Sequence, residues 1–86
     1  MHLELYSIFD NKMQNYKPPV PVRHVTEAIR GIIKAAENKE TDIHKYPSDF
    51  SLYKVGVFDD TKGVIEPVIP PQHVSNLADI IGQKGA

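Results

Sequence analysis

The chain has 86 residues, is 41% apolar and 24% charged, carries a formal net charge of −1 and has no cysteine. This composition describes one small globular domain. It excludes a disulfide framework or a thiolate metal site, and no apolar run approaches the ~18 residues that span a bilayer. Near-neutrality argues against gripping duplex phosphates over the whole surface, while leaving room for a local basic patch or for avidity among several subunits.

The first run, Leu3 to Phe9, alternates Leu3, Leu5 and Phe9 with Glu4, Tyr6 and Ile8 and reads as a strand. Glu4 interrupts this run and no basic segment precedes it, so no secretory signal is expected. Asp10 to Asn15 is a polar connection with turn formers at both ends. Tyr16 to Val22, YKPPVPV, lacks three backbone donors, so an edge strand or polyproline-like segment is expected.

Val25 to Glu37 is the main helix, with Val25, Ala28, Ile29, Ile32, Ile33 and Ala36 in one stripe. Thr26 or His24 would cap it, and Gly31 inside it suggests a close approach to a neighbour. Lys39 to Ser51 reads as a polar connection, with a short turn at Ser48-Asp49. In Leu52 to Gly63, LYKVGVFDDTKG, Tyr53, Val55 and Val57 recur with period two before Asp59-Asp60-Thr61-Lys62-Gly63, which is turn chemistry. A second apolar run, Val64 to Ile69, completes a hairpin, limited by Pro67, Pro70 and Pro71. Gln72 to Ile81 reads as a short final helix stopped by Gly82, followed by a frayed tail. A weak echo between Leu5–Lys12 and Leu52–Lys62 reads as two strand-into-turn units under similar local demands.

The expected fold is therefore α+β: a small antiparallel sheet of two hairpins in ββαββ order, one main amphipathic helix on one face, and a short C-terminal helix. Residues 1–81 form the single domain and 82–86 a flexible tail. The uncovered sheet face would expose Tyr6 and Ile8, or Leu52 and Phe58, depending on register. It would serve as a subunit contact or a stacking surface. A chain of this length buries only about 60–65% of its unfolded surface, which makes oligomerisation a natural aid.

Motifs for chemistry are sparse. His2, His24, His44 and His73 have no metal-ligand spacing, and Asp59-Asp60 reads as turn chemistry. There is no Gly-rich phosphate loop and no nucleophile motif. We therefore expect no catalytic residues, no metal, no cofactor and no enzyme. The basic residues suggest more. Lys12 and Lys17 flank Tyr16, Arg23 precedes the main helix, Arg30 and Lys34 share its polar face, and Lys54 adjoins Tyr53. Tyrosines beside cations are the combination that single-strand binders use; an ordinary solvated face is the alternative.

Leu5-Tyr6-Ser7-Ile8-Phe9-Asp10-Asn11-Lys12, Tyr16 with its proline-bearing run, Glu27-Ala28-Ile29-Arg30 and, above all, Tyr46-Pro47-Ser48-Asp49-Phe50-Ser51-Leu52-Tyr53-Lys54-Val55-Gly56-Val57-Phe58-Asp59-Asp60 occur in that order. The set resembles the small nonstructural protein of gokushovirus-type microviruses, which are single-stranded DNA phages of bacteria. That family tends to show His-Pro-Glu-Asp-Tyr-x-Leu-Tyr-x-Ile-Gly-x-Phe-Asp-Asp; here Tyr46, Ser48 and Phe50 stand for the His, Glu and Tyr. Where many relatives carry a bulky aromatic pair, this chain has Pro19-Val20-Pro21-Val22. The resemblance implies a non-capsid factor of the host bacterial cytoplasm that binds DNA when genome synthesis turns to single-stranded product.

Together these readings predict a homo-oligomeric protein that binds single-stranded DNA through Lys12, Tyr16, Lys17, Arg23, Arg30, Lys34, Tyr53 and Lys54. The alternative is an interaction module that recruits a host polymerase, the phage replication initiator or the procapsid.

Overall fold

In the computed structural model, which describes residues 2–84, two hairpins turn on aspartates in the same way. Asp10 Oδ1 accepts the N–H groups of Lys12 and Met13 at 2.9 and 3.0 Å, and Gln14 N–H donates to Asp10 O at 2.8 Å. Asp59 Oδ1 accepts those of Thr61 and Lys62 at 3.0 and 3.3 Å, and Gly63 N–H donates to Asp59 O at 2.8 Å. Each turn closes on a left-handed residue, Gln14 at φ 57° and Gly63 at φ 67°. The echo between the two stretches is thus one turn device used twice. Only one copy carries the residue that suits it, because a Cβ crowds the backbone at positive φ. Gln14→Gly is expected to raise stability by up to about 1 kcal/mol, and Gly63→Ala to lower it by about 1 kcal/mol. Urea unfolding of the two variants reads both signs.

These turns join β1 (His2–Asp10) to β2 (Asn15–Tyr16) and β4 (Phe50–Asp59) to β5 (Val64–Asn76). A further strand, β3 (Val20–Val22), also pairs with β1. The sheet is antiparallel throughout, in the order β2-β1-β4-β5. Tyr16 to Val22 lies at the rim, divided into two short strands around Pro18 and Pro19, as the missing donors require.

The expected ββαββ domain with a small sheet and one main helix is overturned. The chain is mostly sheet, curled into a half-barrel, with helices both before and after the β4–β5 hairpin. Two causes account for the difference. First, β5 runs for 13 residues, to Asn76, instead of stopping at its prolines. Its pairing with β4 lapses between Gly56↔Pro67 and Lys54↔Gln72, so Val68 to Pro71, including the cis Ile69–Pro70 bond, bulge opposite Val55. Prolines in a bulge on an edge strand remove no ladder bond. Second, the residues from Gln72 that were expected to open a helix belong to this strand. The final helix, α3, is Leu77–Lys84 and continues through Gly82. The rest of the expected tail, residues 85–86, lies outside the described residues.

The main helix, α1, is Val25–Ala36. His24 caps it, its Nδ1 accepting Thr26 N–H at 3.1 Å. His44 Nδ1 lies 2.8 Å from Ala36 O at the other end. A further helix that the sequence reading missed, α2 (Asp42–Lys45), is capped by Thr41 and leads through a 3-10 turn at Pro47–Asp49 into β4. Ile32 of α1 and Leu77 and Ile80 of α3 pack with Tyr6, Val22, Phe50 and Leu52 into one core. Leu77 is fully buried. No neighbour approaches Gly31: nothing stands within 4 Å of where its Cβ would be.

Candidate functional site

The core fixes which sheet face is free. Tyr6, Ile8 and Leu52 point towards α1, so alternation turns Leu3, Leu5, Ser7 and Phe9 to the other side. Neither expected pair is the exposed one: Tyr6 is buried in the core with Ile8 packed against it, and Leu52, expected with Phe58 in the other register, is buried there too. Cross-strand partners share a face, and Phe9 pairs with Ser51 and with Tyr16, Ser7 with Tyr53, and Tyr53 with His73. Between Leu5↔Gly56 and Tyr6↔Lys54 the register shifts, leaving Val55 as an extra residue. This bulge breaks the expected period of Tyr53, Val55 and Val57. Tyr53 stays opposite Ser7, whereas Val57 lies opposite Glu4 on the α1 side.

The face away from α1 consequently carries an aromatic row across four strands. Ring centroids are 4.6 Å apart for Phe9–Tyr16, 5.8 Å for Phe9–Tyr53, 5.6 Å for Tyr16–Tyr53 and 5.3 Å for Tyr53–His73. The pairs are tilted or edge-to-face, the favoured geometry of aromatic contacts. Tyr16 and His73, at the two ends, are exposed; Phe9 and Tyr53, between them, are half-buried. Under the row, Ser7 Oγ donates to Lys17 O, and Ser51 Oγ donates to Asn76 Oδ1 at 3.1 Å. His73 Nε2 lies 3.1 Å from the same Asn76 oxygen. Because that oxygen can only accept, Nε2 carries the proton, which orients the imidazole beside Tyr53.

Of the eight residues predicted to bind nucleic acid, the structure brings Tyr16 and Tyr53 together. The cations are dispersed. Lys12 lies in the β1–β2 turn, 3.7 Å from Asp49. Lys17 follows Tyr16 but places its amine 5.7 Å from the Phe50 ring centroid, on the α1 side. Arg23, Arg30 and Lys34 are exposed at or along α1, behind the sheet. Lys54 is held by Glu4, its Nζ 3.2 Å from Oε2. Phe9 and His73 were missed. Phe9 was visible as the partner of a residue just beyond the first turn; His73 was hidden by the bulge before it.

The Glu4–Lys54 pair is part of a small network on the α1 side. Tyr6 Oη donates to Glu4 Oε1 at 2.8 Å. That hydrogen bond, opposed by partial burial and reinforced by Lys54, holds the Glu4 carboxyl below its ordinary range. Burial, followed by the hydrogen bond to Glu4 and its charge, pushes the Tyr6 phenol up to about 12. A raised folded-state value stabilises the fold below the unfolded value of about 10. That contribution fades as pH rises towards 12. Wild type should therefore be more stable than Tyr6→Phe near pH 8, and the gap should close between about pH 10 and pH 12. Urea unfolding of both proteins across that range measures it, and a gap independent of pH would remove the coupling.

Among the described residues no group of three His, Cys, Asp or Glu side chains could hold a metal ion, and no helix is long and apolar enough to cross a membrane. No solved structure matches the chain. A curated relative does: "Protein ORF5" of Chlamydia phage 1 is 34% identical over 73 residues, 79% of this chain and 75% of the relative. The family model described as Phage ORF5 protein matches residues 3–80, from the first strand to the core of the last helix. By that span and that identity, the chain belongs to the phage ORF5 family.

Proposed function

We propose that this phage protein is a non-enzymatic accessory factor of viral genome replication. It holds single-stranded DNA by stacking bases on the row Tyr16–Phe9–Tyr53–His73, and it acts as a homo-oligomer. The observation that carries this reading is the row itself, laid across the sheet face that α1 leaves open. Antiparallel sheets with outward aromatics are a recurrent platform for unpaired bases, since every base has a π-face and a duplex hides it. Lys12, in the β1–β2 turn at the Tyr16 end, is the cation placed to meet a phosphate, by leaving its exposed contact with Asp49. Lys17, Arg23, Arg30, Lys34 and Lys54 lie on the α1 side, so stacking outweighs charge. Several copies on one strand raise the affinity by avidity.

The salt dependence tests this division. One phosphate contact per protomer gives a slope of about −0.7 in log K against log salt, or roughly two- to threefold weaker binding between about 50 and 200 mM. Titration of labelled oligothymidine should show saturable binding with that shallow slope and far weaker binding to a duplex. No saturation at low salt, or equal affinity for duplex, would count decisively against the proposal.

A further inference from the structure

Between α1 and the β1–β3 side of the sheet lies an open cavity of about 460 Å³. It is floored by Ile8 and Leu52 and walled by Ala28, Gly31 and Ala35 on the helix and by Val20 on the strand. That volume is within the range of small-molecule sites, about 300–1,000 Å³. Gly31 lacks a reason within the chain. Glycine inside a helix is disfavoured against alanine, and nothing comes within 4 Å of where its Cβ would stand. Its effect is to keep the helix side of the cavity open. Val20 is left 57% exposed on the opposite wall.

The rim narrows the choice of occupant. A peptide strand would need the outer edge of β3, but Pro18 and Pro19 precede that strand and Pro21 interrupts its donors. On the strand side stands Lys17, exposed and, among the described residues, without a carboxylate at ion-pair distance. On the helix side stands Glu27. One acidic group fits beside Lys17, and Glu27 on the facing wall disfavours a second negative charge inside the groove. The helix wall from Glu27 to Ala35 is about 12 Å long, enough for a chain of roughly eight to ten carbons. We propose that this groove binds a linear-chain monocarboxylic acid, its hydrocarbon along Ala28, Gly31 and Ala35 and its carboxylate on Lys17. The inference is independent of the aromatic row.

The test is an NMR titration of the intact chain with hexanoate, octanoate and decanoate below their micelle concentrations, with decanol as the uncharged comparator. Saturable shifts at Val20, Ala28 and Ala35 are expected, with affinity rising about fourfold per added methylene. Decanoate should bind more tightly than decanol, and Lys17→Gln should abolish that preference. Gly31→Phe, which grows into open space, should block binding without lowering the melting temperature, while Gly31→Ala should still bind. Ala35→Leu closes the same wall should Gly31→Phe fail to fold. Absent or scattered shifts, undiminished binding in both blocked variants, or no preference for decanoate over decanol would each overturn the proposal. So would a wild-type dimer that Gly31→Phe dissociates, since the occupant would then be a second copy.

Discussion

Gly56→Ala is expected to destabilise the domain by about 2–3 kcal/mol, which lowers the melting temperature by roughly 10–20 °C in a chain of this size. Gly56 is buried in the middle of β4, opposite Leu5 on one side and Pro67 on the other. A Cβ there would stand 2.9 Å from the Glu66 carbonyl oxygen and 3.5 Å from Leu5 Cδ1. The first contact is with backbone, which cannot rotate away, so β4 and β5 must separate or the carbonyl must tilt out of its ladder. Little margin exists to absorb this, because small domains bury proportionately little surface. Gly31→Ala provides the internal contrast. It faces open space on a helix and should stabilise by about 1 kcal/mol. One chemical change thus has opposite signs at two glycines. Thermal melts of both variants check it, and a Gly56→Ala protein as stable as wild type would show that β4 and β5 do not approach in this way.

The same stretch shows what could and could not be read from residues alone. The first strand, the proline-bearing rim, α1 and both aspartate turns follow from local chemistry: alternation, missing donors, a helical stripe, and Asp side chains bonding their own backbone. The bulge at Val55 does not, because an extra residue in a ladder depends on what lies across it. Counting by twos from Tyr53 therefore put Val57 on the wrong face. The length of β5 was hidden for a related reason. Pro70 and Pro71 look prohibitive until the ladder is known to lapse beside them, opposite Val55. Gln72 to Asn76, with Val74 as its one apolar residue, suits either a helix start or a strand, and the edge of β4 decides between them. For the site, tyrosine identity was legible but ring company was not. Tyr16 and Tyr53 are 37 positions apart, and only β1 between β2 and β4 brings them to 5.6 Å. The cations were overvalued, since Glu4 and Asp49, which hold Lys54 and Lys12, are remote from them in sequence.

On the stacking proposal, Tyr16→Ala should weaken binding to single-stranded DNA by about five- to 150-fold, the equivalent of one lost base–aromatic stack of about 1–3 kcal/mol. Tyr16 is 44% exposed and lies on the rim strand β2, so the fold should lose little. Tyr16→Phe retains the π-face and should retain most of the affinity. Tyr53→Ala should do at least as much damage, since Tyr53 contacts Phe9, Tyr16 and His73. Part of that effect will come from the collapse of the row, so its thermal stability must be measured alongside. Arg30→Gln and Lys34→Gln supply the opposite arm, for they sit on α1 behind the sheet and should leave affinity within about twofold, a change of less than 0.5 kcal/mol. The two arms separate two mechanisms. If the α1 variants weaken binding steeply and Tyr16→Ala does not, phosphates bind along the helix and the aromatic row is packing for the outer sheet face. If the tyrosine variants dominate and the salt slope stays shallow, the bases lie across the strands, and the near-neutral charge of the chain is the expected companion of a protein that reads nucleic acid by its rings.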